Sequence, residues 1–122
     1  MERVIKFRAY NPKEKKMSRD FTLYEIASAG SKTIFPFGFI ANKDTVLMQY
    51  TGLKDKNGKE IYEGDIVEEE DFIGEVVWED FMFNVEDYYD SSADYPTIAF
   101  FEGVFEVVGN IYENPNLIED NK

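Results

Sequence analysis

Apolar and polar residues alternate with a period of two along most of this chain, the spacing of strands with one buried face. Residues 4–10 place Ile5, Phe7 and Ala9 on one face and Lys6, Arg8 and Tyr10 on the other, and Asn11-Pro12 ends that strand. A polar basic turn over residues 13–19 leads to a second segment at 21–26, able to pair with the first as a long-looped hairpin. Residues 45–50 read as a strand entered from a turn at 42–44. Residues 72–78 set Ile73, Glu75 and Val77 opposite Gly74, Val76 and Trp78, with Gly74 the position of a bulge. Short strands follow at 81–85, 98–101 and 104–108, the last two joined at Glu102-Gly103. Gly109-Asn110 turns into Ile111-Tyr112. No apolar stripe of period 3.6 is long enough for a substantial helix. Asn114-Pro115 supplies an N-cap and a first-position proline for a single terminal turn over residues 116–120.

Turn chemistry is densest in residues 48–67, MQYTGLKDKNGKEIYEGDIV. Asn57-Gly58 predicts a two-residue hairpin loop with positive φ at both positions, flanked by residues 54–56 and 59–62. Asp55, Asn57 and Gly58 also resemble the opening of a calcium loop. That pattern then requires Gly at its sixth position and Glu at its twelfth, where this chain has Glu60 and Ile66. Glu63-Gly64-Asp65 breaks the pattern again before β-branched Ile66-Val67. Gly64 and Asp65 read as turn residues, with Asp65 as a ligand or catalytic carboxylate the competing reading.

Two apolar features have competing readings. The run 34–40, IFPFGFI, carries Pro36 and so is no central strand; it is an irregular segment pressed on the core or on a second subunit. The lone Trp78 is a core or barrel-mouth anchor, with a ligand-stacking platform as the alternative.

Composition narrows the chemistry. A chain of 122 residues makes one domain and buries roughly two-thirds of its unfolded surface without staples. It has no Cys and no His, which excludes disulfides, thiolate metal sites, thiol nucleophiles and His-based triads. No secretory signal or membrane span fits the N-terminus or the seven-residue apolar run, so the expected location is the cytoplasm. No cofactor or metal motif is present, and no catalytic residue is assigned. Any enzymatic reading must rest on carboxylates, Lys, Tyr or a bound cofactor, for example paired acids such as Asp65 and Glu79.

Charge placement matters more than the net −12. Residues 1–20 hold seven bases against three acids, whereas residues 60–121 hold nineteen acids and no base. Such a field repels phosphate over most of the surface and favours a basic partner, or serves solubility alone. Glu68, Glu69, Glu70 and Asp71 belong on a solvated loop, because four adjacent acids cannot share a low-dielectric site. Residues 86–97, EDYYDSSADYPT, form a long acidic loop in which Tyr88, Tyr89 and Tyr95 fit a protein-contact surface better than a nucleic-acid one. These four acids and three tyrosines are the candidate partner-binding residues. Lys6 and Arg8 are cross-strand partners of acids, or nucleic-acid contacts together with Arg3, Lys13, Lys15, Lys16 and Arg19.

Three segments resemble the YopX-like family of small proteins carried by bacteriophages and prophages: IKFRA at 5–9, the 48–67 stretch, and VGNIYENP at 108–115. Between residues 68 and 105 only 74–78 looks family-like, and the tyrosine-rich loop is particular to this chain. Asn116 stands before Leu117 where the family more often has Glu. The resemblance implies an all-β domain with an N-terminal hairpin part over 1–44, an SH3-like barrel over 45–122 and one short helical turn. It implies expression in a bacterial cytoplasm and brings no catalytic or binding residues. The expected function is a non-enzymatic module that binds a host or phage protein through an acidic face or a β-edge. The alternative is nucleic-acid work, through the basic N-terminal segment or by DNA mimicry. Unpaired edges and the 34–40 run also make a homo-oligomer a plausible partner state.

Overall fold

The computed structural model describes residues 4–22, 24–25, 39, 41–70, 72–79, 81–87, 94–95 and 103–119. The chain is mostly β and divides into two compact units, residues 1–50 and 51–122. Ten strands and one helical turn are described: β1 (Lys6–Asn11), β2 (Lys16–Met17), β3 (Phe21–Thr22), β4 (Val46–Lys54), β5 (Glu60–Tyr62), β6 (Asp65–Glu69), β7 (Phe72–Glu79), β8 (Met82–Asp87), β9 (Asp94–Tyr95), β10 (Glu106–Asn110) and α1 (Asn116–Glu119). The 34–40 run, apart from Phe39, and residues 98–102 lie outside the described residues.

In the first unit β1 pairs antiparallel with β4 along one edge, in register Phe7↔Gln49 to Tyr10↔Val46. Its other edge takes β2 and β3 in turn. Ser18 joins these two: its N–H donates to the Ala9 carbonyl and its Oγ accepts the Ala9 N–H, both at 2.8 Å. The basic turn is thus shorter than the sequence suggests, because Lys16-Met17 already belong to a strand. Buried Asn11 fixes it, its Oδ1 accepting the N–H groups of Lys13 and Glu14 and the Nδ2 of Asn42. Simple alternation fails at the ends of β1, where Ile5 is exposed and Tyr10 buried. Ala9, Tyr10, Phe21, Met48 and Tyr50 supply the buried apolar residues of this unit.

In the second unit the last part of β4 pairs with β5, and a five-stranded sheet runs in the order β10-β6-β7-β8-β9. A four-strand meander whose fifth strand returns to the first is the strand order of an SH3-like barrel, as the resemblance implies. Ile61, Val67, Val76, Val85, Phe105 and Val107 form the core, with Leu53, Phe72 and Phe83 packed against it. Phe72 and Phe105 meet at 5.5 Å between ring centroids.

Local chemistry departs from expectation in five places. The β4–β5 loop holds three residues, not two. The N–H of Asp55 donates to the Lys59 carbonyl and that of Gly58 to the Asp55 carbonyl, giving a turn followed by a left-handed glycine. Only Gly58 (φ +84°) takes positive φ, since the Asp55 carboxylate holds Asn57 in the turn through its N–H. Glu68 and Glu69 lie in β6, not in a loop, because they pair with Ile73 and Phe72 across a tight hairpin whose tip is Glu70, at φ +52°.

Gly74 marks close approach and not a bulge. The β6–β7–β8 register passes through it unbroken, and a Cβ there would lie 2.5 Å from the Glu86 carbonyl oxygen. The bulge falls instead between Val107 and Gly109, so Gly109-Asn110 continue β10 rather than turning. Finally, the Asn114 side chain does not cap the helical turn. Its Oδ1 accepts the Asn110 N–H at 3.1 Å, while the Asn110 Oδ1 accepts the N–H groups of Tyr112 and Glu113. Gly109 makes room for this lock, as a Cβ there would sit 2.6 Å from the Asn114 oxygen.

Candidate partner-binding face

Strand register decides which acids share a surface. Val67, Val76, Val85 and Val107 point into the core, and Glu68, Glu75, Glu86 and Glu106, each one residue along its strand, share the opposite face with Ile66 and Ile73, which are themselves buried. Glu68 then lies directly opposite Glu106 across β6 and β10, and Glu75 directly opposite Glu86 across β7 and β8. Like charges in such positions repel and cost stability. Glu68 and Glu86 are exposed, and Glu75 and Glu106 half-buried. Lys56 approaches Glu106 at 3.6 Å, an exposed ion pair of small energetic weight. Tyr112 senses the same field: burial, then the charges of Glu75 and Glu63, raise its phenol above its ordinary value.

Of the sequence-predicted site residues, Glu68 stands on this face, Glu69 lies on β6, and Glu70 tips the β6–β7 hairpin. Asp71, Tyr88 and Tyr89 lie outside the described residues. Tyr95 belongs to β9, where its backbone is in register with Val85. The acids that complete the face, Glu75, Glu86 and Glu106, are not among the candidate partner-binding residues of the sequence reading. Their signal was the outward phase of each strand combined with register, and register needs the fold.

The other edge of β10 is occupied. Asp55, only 5% exposed, accepts N–H bonds from Asn57, Lys59 and, across 52 residues, Val107 at 2.9 Å. Lys56 donates its N–H to the Phe105 carbonyl at 2.9 Å. Burial pushes the Asp55 carboxyl up, but the three N–H donors and the Lys59 charge outweigh it, leaving the group below its ordinary value of 3.8. Asp55 is therefore a structural clasp; its oxygens face N–H donors, which answers the calcium-loop reading. Asp65 is likewise buried, at the start of β6, its Oδ2 accepting the Tyr62 N–H at 2.8 Å across the turn, while Glu79 is exposed at the end of β7. Among the described residues no group of three or more His, Cys, Asp or Glu could hold a metal ion, and no helix is long and apolar enough to cross a membrane.

The basic segment is partly committed. Lys6 pairs with Asp20 at 3.1 Å and lies 5.0 Å from the Tyr50 ring centroid, and Arg19 pairs with Glu25 at 3.6 Å. Lys13, Lys15 and Lys16 remain exposed. Trp78 is not a core residue: it is 48% exposed and meets Phe83 edge-on at 4.8 Å.

A comparison with solved structures finds protein EF1440 from Enterococcus faecalis, 27% identical, with a TM-score of 0.58 over 96% of this chain and 99% of that one. No curated protein matches the chain. The family model described as YopX protein matches residues 6–119, nearly the whole chain, and the protein belongs to the YopX family.

Proposed function

We propose that the protein is a non-enzymatic interaction module that binds a basic protein through the outer face of the β6–β7–β8–β10 sheet. The observation that carries this reading is the register that sets like charges directly opposite one another, Glu68 with Glu106 and Glu75 with Glu86. Like charges set directly opposite one another repel by a few tenths of a kcal/mol to about 1 kcal/mol, and a cationic surface adds attraction for both pairs beyond what Lys56 gives Glu106. The occupied edge of β10 favours this face over strand addition at that edge. The module works in a bacterial cytoplasm during phage or prophage expression, as the family's character suggests.

The test is affinity capture from lysate of the native host with wild type and with the Glu75→Gln/Glu86→Gln variant. A basic protein retained by wild type at low salt, released at high salt and lost by the variant supports the reading. Equal retention by both proteins, or retention of nothing, refutes it. A captured protein that DNA displaces turns the same face into a DNA mimic.

A further inference from the structure

The tip of the β7–β8 hairpin presents a bulky aromatic in an uncommon way. Phe81 is 92% exposed and holds φ at +64°, the left-handed region that side chains other than Gly, Asn and Asp rarely enter. Exposed left-handed tips elsewhere in the chain carry polar Lys15 and Glu70, the ordinary choice at such positions. The strain at Phe81 is held by its surroundings. The Asn84 Nδ2 donates to the carbonyls of Glu79 (3.0 Å) and Met82 (3.2 Å), on either side of the tip, and Trp78 pairs with Phe83 at its base. A conformation that costs energy and is braced by neighbours marks a place to look for function.

We infer that this tip is an anchor that inserts Phe81, with exposed Met82 beside it, into an apolar pocket rimmed by Lys and Arg on a partner protein. Large aromatics raised on a rigid element are the usual centres of binding energy. The cationic rim follows from charge complementarity: Glu79 is exposed beside the tip, Glu86 is exposed further along β8 opposite Glu75, and residues 60–121 contain no base. The net −16 of residues 51–122 disfavours the same unit of a second copy, or an anionic membrane, as occupant. The inference rests on the basic partner proposed above and assigns the apolar part of its contact.

A photo-crosslinking amino acid placed at position 81, 86 or 70 of the full chain in native host cells tests it. The expected result is one discrete adduct at 81 and 86 with the same Lys/Arg-rich protein and none at 70. An adduct at 86 but not at 81 overturns the anchor and leaves the acidic-face reading standing; none at either position overturns both. An adduct at 81 with a second copy of this chain, or with a protein lacking a cationic surface, overturns the assigned partner. In parallel, Phe81→Asn, whose side chain suits the left-handed backbone, is expected to fold at least as stably while crosslinking at 86 falls at least tenfold. Unchanged crosslinking in that variant refutes the role of Phe81.

Discussion

At the scale of single residues, the chain uses its few buried polar groups as clasps. Asp55 closes its own turn and reaches Val107, so removing the carboxylate leaves three backbone donors without their charged acceptor. We expect Asp55→Ala to cost about 3 kcal/mol or more in chemical denaturation. Asp55→Asn keeps the shape but loses the charge. Because the folded carboxyl lies below its ordinary 3.8, its stabilisation is present above that value and is lost as pH falls through the lower folded one. The stability gap between wild type and Asp55→Asn therefore narrows in acid below about pH 3.8; a gap that stays constant with pH would contradict the assignment. Phe81 presents the opposite case, a residue whose backbone costs stability: Phe81→Asn or Phe81→Gly is expected to raise stability by about 1 kcal/mol.

At the scale of elements, glycines and asparagines set the spacing between strands. Gly74→Ala brings a methyl group within 2.5 Å of the Glu86 carbonyl and 2.8 Å of Val85 Cγ1, and neither lies at the end of a flexible chain. The β7–β8 pair must part, at an expected cost of about 1–3 kcal/mol in thermal or denaturant unfolding. Much of this level was legible in the sequence. The alternation over 72–78 gives β7, and Gly58 ends the β4–β5 loop. What escaped was set by pairing partners that local composition does not name, some of them far along the chain. Asp55 reads as a turn former or an ion ligand until Val107 is seen beside it. Gly74 reads as a bulge until Glu86 is seen beneath it. Asn114 reads as a helix cap until Asn110 takes its oxygen. The acidic run 68–71 reads as a loop because its charge masks the pairing of Glu68 and Glu69 with Ile73 and Phe72.

At the scale of the whole molecule, the two units differ in charge as much as in sequence. Residues 1–50 carry nine bases against five acids, net +4, and residues 51–122 carry four against twenty, net −16. Composition made that imbalance visible at once, whereas the face it builds depends on strand register. Solubility alone asks only that acids be exposed, and scattered acids would serve it. Glu68 opposite Glu106 and Glu75 opposite Glu86 concentrate them at a cost to the fold. On the proposed reading a cationic surface is attracted to this face in a salt-dependent way, screened over about 8 Å at physiological ionic strength. The most direct test compares wild type with a Glu75→Gln/Glu86→Gln variant for both unfolding stability and salt-sensitive retention of a basic partner from host lysate. The account predicts a variant as stable or more stable, by up to about 1 kcal/mol, that no longer retains the partner. A variant that is less stable, or that holds the partner as well as wild type, would contradict it.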